Sequence, residues 1–267
     1  MCPSCRAFIT NSDKVCPYCE APVGARAIDQ RTPGEIFGGL IPQARFTTVL
    51  ILIINTALYV ATCLYSDTFS WTPDNIALFV FGEKIPFALM QSRHEWWRLV
   101  TAGFLHGGVM HIAMNSWVLF DLGAEVETIF GTSRMIVYYF VSTVAGFLLS
   151  ALLSNGSSVG ASAGVFGLIG AMIAFGMTDR SAIGSMAKSL YVRWAIYGLA
   201  MGILFPQTDM KAHIGGLVGG FACAFVARTP TARTAWKEPL IRAAAGVCIA
   251  LTLLSFAIMF VKLRSGT

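Results

Sequence analysis

"VGASAGVFGLIGA" (residues 159–171) places one hydroxyl, Ser162, among glycines and alanines at the head of an apolar run. Residues this small let backbones approach closely, and a run this apolar belongs in a bilayer or a buried core. The rest of the chain decides for the bilayer. It is 267 residues long, 55% hydrophobic and only 12% charged, about half the charged fraction of soluble domains. Charge this sparse cannot cover a soluble globule. The net charge of +5 is not gathered into one basic patch and no nucleic-acid-binding motif accompanies it, so nucleic acid is not an expected partner.

Seven apolar segments approach the roughly 20 residues that cross a bilayer. They cover residues 46–65, 102–122, 135–153, 162–177, 190–205, 212–227 and 240–261. The expected fold is an all-α polytopic membrane bundle. No apolar signal-peptide core opens the chain. Arg26, Arg31 and Arg45 precede the first segment, Arg180 and Lys188 follow the fourth, and Arg228, Arg233, Lys237 and Arg242 follow the sixth. The alternate loops carry almost no positive charge. The positive-inside rule therefore predicts a cytoplasmic N-terminus. Residues 66–98 would form an outer loop, and its Trp71, Phe79, Phe81, Phe87, Trp96 and Trp97 predict a segment lying in the interface.

The head of the chain reads "CPSC" (2–5) and "CPYC" (16–19). Two residues between cysteines let one turn aim both sulfurs at one ion. Cys2, Cys5, Cys16 and Cys19 thus predict a structural zinc with no open coordination position, which would hold a zinc-ribbon-like module folded. Disulfides or free thiols are the other reading, and disulfides need an oxidising compartment. On this reading the module has two roles open to it, binding a cytoplasmic partner or anchoring the N-terminus. No cofactor for catalysis is expected.

Strongly polar residues inside spans are costly and mark function by default. His111 and Asn115 share one helical face. His106, five residues before His111, would face elsewhere on the same helix. Ser162 opens the fourth span and His213 sits at the head of the sixth. Singly, each has a bland reading: a serine bonded to a carbonyl one turn back, or a histidine or asparagine joining helices. Topology, however, sets His111, Ser162 and His213 at similar depth toward the outer side. Gly160, Gly164, Gly167 and Gly170, with Gly215, Gly216, Gly219 and Gly220, would let the fourth and sixth spans close together. The predicted chemistry is a Ser162 nucleophile with His213 as its base. The Ser162 N–H, His111 and Asn115 would bind the oxyanion. No carboxylate lies in the outer halves of the spans, so a dyad is the economical reading. A pore would need polar residues through the full depth, and these cluster on one side.

Taken in order, Trp97-Arg98, "HGGVMHIAMN" (106–115), "LGAEVETIFG" (122–131), "GASAG" (160–164) and "AHIGGLVGG" (212–220) resemble the rhomboid family of intramembrane serine proteases over residues 46–227. The resemblance implies a six-helix core plus a seventh helix, with Ser162 as nucleophile and His213 as general base. It implies a supporting role for His106 and an aromatic ring, Phe166, packed on His213. Substrates would be transmembrane proteins, entering between helices from the lipid bilayer and cut near the outer face after small residues. The family's usual Gly-x-Ser-Gly is here Gly160-Ala161-Ser162-Ala163; alanine is acceptable in a first helical turn, with Gly164 expected to supply part of the space. The expected organisation is a zinc-ribbon-like module (1–22), a linker (23–45), the protease core (46–227) and a seventh helix with tail (228–267). The expected location is a bacterial plasma membrane, multi-pass. An inactive relative that binds membrane clients is the alternative.

Overall fold

The computed structural model describes residues 15–20, 45–66, 71–205 and 207–265, without the side chains of residues 232 and 233. Contacts divide the chain into Met1–Gln43 and Ala44–Thr267. In the first unit, Pro17 to Cys19 form a turn, and the Glu20 N–H donates to the Cys16 carbonyl at 2.9 Å.

The second unit is an all-helical bundle. Its helices are α1 (Phe46–Tyr65), α2 (Asn75–Val80), α3 (Phe87–Arg93), α4 (Arg98–Thr101), α5 (Val109–Phe130), α6 (Thr132–Leu153), α7 (Ser162–Thr178), α8 (Ala182–Leu204), α9 (Met210–Ala227) and α10 (Glu238–Ser265). Among the described residues, α1, α6, α9 and the stretch Thr234–Ser265 are long and apolar enough to cross a membrane; α7 is apolar but shorter. The outward faces carry large apolar side chains, among them Leu64, Met114, Val218 and Leu253, as expected where lipid rather than water is the solvent. The protein is a multi-pass membrane protein.

The long helices correspond one to one with the seven apolar segments, with one instructive shift. The second segment does not run unbroken from residue 102. A 3₁₀ turn covers Ala102–Phe104, and α5 begins only at Val109, after Gly107 and Gly108. Paired glycines oppose helix continuation. His106 therefore lies in a loop, and the helical-face argument applied to it above does not hold.

Polar residues near the helix ends serve assembly. The first N–H groups of α1 have no acceptor in their own helix. The Glu127 carboxylate supplies one from α5, accepting from Thr47 N at 3.0 Å, Thr47 Oγ1 at 2.7 Å and Thr48 N and Oγ1 at 3.3 Å. An anion at a helix N-terminus also meets the positive end of its dipole. One turn earlier, a Cβ on Gly123 would fall 2.6 Å from Thr48 Oγ1. The 122–131 stretch thus holds α1 in place. Arg134 fastens α10 at that end of the bundle, donating two bonds to Glu238 at 2.8 and 3.1 Å and one to the Arg228 carbonyl at 2.8 Å. Bidentate pairs of this kind are among the stronger protein hydrogen bonds.

The centre is α7, buried continuously from Ala163 to Met172. It packs most closely on α9, backbone against backbone. A Cβ on Gly216 would lie 2.1 Å from the Ala163 carbonyl oxygen, and one on Gly220 would lie 2.0 Å from that of Gly167. Only glycine permits this approach, so the expected closure of the fourth and sixth apolar segments is observed.

Candidate active site

Ser162 is the first residue of α7 and His213 lies in the first turn of α9. The close packing of the two helices brings Ser162 Oγ to 2.9 Å from His213 Nε2. Phe166, one turn below the serine, stacks on the imidazole with centroids 4.2 Å apart and planes inclined by 17°. Gly198 on α8 makes room for that ring, since a Cβ there would sit 2.7 Å from Phe166 Cζ. His213 is 7% exposed, and its Nδ1 has no hydrogen-bond partner among the described residues. The ring is held by stacking and by the Ser162 contact.

His111 approaches from α5. Its Nδ1 accepts a long bond, 3.4 Å, from the Gly107 N–H. That contact assigns the ring proton to Nε2, which is then a donor. Nε2 faces Gly160. A Cβ at Gly160 would fall 2.7 Å from His111 Nε2 and 3.5 Å from Ser162 Oγ. The space between histidine and serine exists because residue 160 has no side chain. Its φ of +137° is itself glycine territory. The Gly160 N–H is anchored to the Ala102 carbonyl at 2.9 Å.

Asn115 is buried one turn along α5 and donates from Nδ2 to the His111 carbonyl at 3.0 Å, leaving its second amide N–H for another acceptor. His106 is fully buried, packs edge-on against His111 with centroids 5.1 Å apart, and neither of its ring nitrogens has a partner among the described residues. It reaches the site through His111.

Ala163 is fully buried. Its methyl meets α6 at Gly146, where an added Cβ would come within 2.8 Å of it. Gly164 points elsewhere, to Tyr139 and Thr143. The room expected from Gly164 therefore comes from Gly146. Arg98, singled out in the sequence with Trp97, is a loop anchor. It donates to Glu95 at 2.7 Å and to the Phe79 and Glu83 carbonyls at 2.7 and 3.2 Å.

Sequence reasoning missed Asp209. It stands just before α9, outside the apolar segments searched for carboxylates, and accepts from the Ala212 N–H at 3.0 Å. An acid three residues ahead of that N–H is an ordinary N-cap signal. Its other oxygen accepts from Ser150 and, at 2.5 Å, from Ser158. Among the described residues the bonds of the Asp209 carboxylate go to Ser150, Ser158 and Ala212, not to His213. Of the four cysteines at the head of the chain, Cys2 and Cys5 lie outside the described residues; Cys16 is buried and Cys19 exposed. Among the described residues no group of three or more His, Cys, Asp or Glu could hold a metal.

The model of the Rhomboid domain matches residues 93–230, more than half of the chain. The chain belongs to the rhomboid family. Rhomboid protease GluP of Bacillus subtilis (strain 168) is 32% identical over 163 residues, 61% of this chain and 32% of that protein. RHOMBOID-like protein 1 of Arabidopsis thaliana is 37% identical over 157 residues, 58% of this chain and 40% of that protein. Rhomboid-like protease 3 of Toxoplasma gondii is 30% identical over 181 residues, 65% of this chain and 66% of that protein. The chain thus spans from 32% to 66% of the length of these relatives. The rhomboid match begins at Arg93 and includes every residue of the Ser162 cluster, but not the head of the chain.

Proposed function

We propose that this rhomboid is an intramembrane serine endopeptidase working through Ser162 and His213. The observation that carries the reading is the 2.9 Å approach of Ser162 Oγ to His213 Nε2, with the Phe166 ring stacked on the imidazole. Ser162 Oγ attacks the substrate carbonyl carbon and passes its proton to His213 Nε2. The oxyanion accepts hydrogen bonds from His111 Nε2–H, Asn115 Nδ2–H and the Ser162 N–H, which belongs to a first helical turn without intrahelical acceptors. Collapse breaks the C–N bond, and the leaving amine takes the proton from His213. Water then attacks the acyl-serine, again deprotonated by His213, and releases the acid with Ser162 restored. Relatives named as proteases support the reaction class.

The substrates on this reading are transmembrane proteins cut near the outer face, with the N-terminus cytoplasmic; the Lys/Arg distribution supports that orientation. The bacterial plasma membrane is a reading of the sequence alone, since the relatives come from a bacterium, a plant and a parasite. We further propose that Cys2, Cys5, Cys16 and Cys19 hold a structural zinc in a module that either binds a cytoplasmic partner or anchors the N-terminus. The supporting observations are the paired spacings and the turn that closes on the Cys16 carbonyl. That zinc would have no part in the reaction.

The test is reconstitution in liposomes with a single-span reporter substrate. Cleavage by wild type that stops in Ser162→Ala supports the reading. Binding of the reporter without cleavage would transfer it to the alternative, a client-binding relative.

A further inference from the structure

At the end of the bundle that carries Ser162, but in a different place, a cavity of about 410 Å³ opens between residues 79–98 and α10. That volume falls in the ~300–1,000 Å³ range of small-ligand sites. Its walls are Tyr65, Phe79, Trp97 and the cations Arg93, Arg98 and Lys262, closed by Val80 and Leu263. Three cations share one carboxylate there. Glu95 pairs with Arg98 at 2.7 Å, Lys262 at 3.0 Å and Arg93 at 3.2 Å, and no other carboxylate lies in ion-pair distance of them among the described residues.

The three cations are not equally spent. Arg98 is buried and committed to Glu95 and two backbone carbonyls. The side chains of Arg93 and Lys262 are 41% and 31% exposed. Lys262 gives one N–H to Glu95, and an ammonium has three. Trp97 contributes ring surface to the wall and is 6% exposed. The cavity therefore offers surplus positive charge, and the remaining N–H donors of Arg93 and Lys262, to an anion with several oxygens.

Its position selects the source of that anion. Tyr65 is the last residue of α1, and Lys262 stands in the last turn of α10. Both helices are apolar enough to span. Tyrosine, tryptophan, lysine and arginine at span ends occupy the headgroup layer. The neighbours in the chain, Leu64 and Val261, are 67% and 64% exposed, so apolar surface continues from the rim along both helices.

We propose that this cavity binds the phosphate of an anionic phospholipid, with Arg93 and Lys262 as the phosphate-binding cations and the α1 and α10 surfaces taking the acyl chains. The seventh helix then contributes half of a lipid site, beyond its ion pairs to the core. This inference does not depend on the Ser162 chemistry.

The experiment is native mass spectrometry of the full chain released from nanodiscs of mixed phosphatidylglycerol and phosphatidylcholine, with inorganic phosphate as a separate competitor. A cation at the membrane surface contributes about fivefold in affinity. Wild type is expected to retain phosphatidylglycerol over phosphatidylcholine, and Arg93→Gln and Lys262→Gln each to lower that preference about fivefold, with Lys262→Arg restoring it. Melting curves show whether each variant is folded. Equal retention of the two lipids by wild type would overturn the proposal, and so would an unchanged preference in a folded Arg93→Gln. Inorganic phosphate that displaces the lipid as well as glycerophospholipid of the same concentration would assign the site to soluble phosphate and overturn the lipid.

Discussion

Asp209 caps the helix that carries His213 one turn later, yet its carboxylate turns away from the imidazole, toward Ser150 on α6 and Ser158 in the loop before α7. Lys84 Nζ, almost fully buried, lies 3.9 Å from the same carboxylate and donates to the Gly156 carbonyl. The backbones of Lys84 and Ser158 also pair. One acid thus ties the loops before α3 and α7 to α6 and α9 and fixes where the His213 helix begins. Asp209→Ala is expected to cost about 1 kcal/mol for the lost cap, and up to ~3 kcal/mol more because Lys84 loses its partner. Asp209→Asn, which keeps the capping oxygen, should cost less. Denaturation in mild detergent measures both. Serine labelling should persist in folded Asp209→Asn, because no bond to His213 is lost; its disappearance would make Asp209 a member of the reacting group.

Acid should expose the same tie. For Asp209, burial alone would raise the pKa, but bonds from Ser150, Ser158 and the Ala212 N–H, with the Lys84 charge, outweigh it and hold the carboxyl below its ordinary 3.8. Burial likewise opposes ionisation of Glu95, and Arg98, Lys262 and Arg93 overcome it, holding Glu95 below 4.5. A depressed carboxylate stabilises the fold above its unfolded pKa, and that stability is lost as pH falls through the folded value. The stability that these two carboxylates contribute is therefore expected, in melting curves set beside Asp209→Asn, to stay level from neutrality to about pH 5 and to be lost below about pH 4. Glu83, raised by burial ahead of its Ser157, Arg98 and Lys84 contacts, works in the opposite direction and softens the fall. A loss of stability centred between pH 6 and 7 would show that other groups control the acid response.

Gly160→Ala tests the space between serine and histidine. The new methyl would meet His111 Nε2 at 2.7 Å on a backbone at φ +137°. Displacing one oxyanion donor lowers turnover about 10²-fold. Cleavage of the reporter should drop by that order while the bundle stays folded; unchanged cleavage would remove His111 from the proposed oxyanion site.

Ala163→Gly should do little to chemistry. The Ala163 methyl rests against Gly146, away from the Ser162–His213 contact. Glycine in the first turn of α7 is expected to cost about 1 kcal/mol of stability and to leave cleavage close to wild type. A large gain in cleavage would show that the alanine holds the site in a restrained form.

The bundle was legible because lipid imposes long apolar runs, and each of the seven runs became a helix. Ser162 and His213 were legible because polar groups at the heads of such runs are costly and because glycines at four-residue spacing announced close backbones. His106 was misplaced because an apolar run conceals a glycine break that only backbone geometry exposes. The short helices α2 and α3 were read as one interfacial segment, since helices of six and seven residues carry too little periodicity to register. Asp209 was missed because the search for a carboxylate stopped at the span boundaries, and a cap lies just outside them by definition. The Glu127 cap on α1 joins residues about 80 positions apart, a relationship that no local pattern reveals.

The most direct measurement is labelling of the purified protein with a fluorophosphonate, beside Ser162→Ala and His213→Ala. The account predicts one modified residue, Ser162, in folded wild type and no labelling in either variant. Folded wild type that does not react, or labelling that survives in His213→Ala at the wild-type rate, would contradict an activated Ser162–His213 pair.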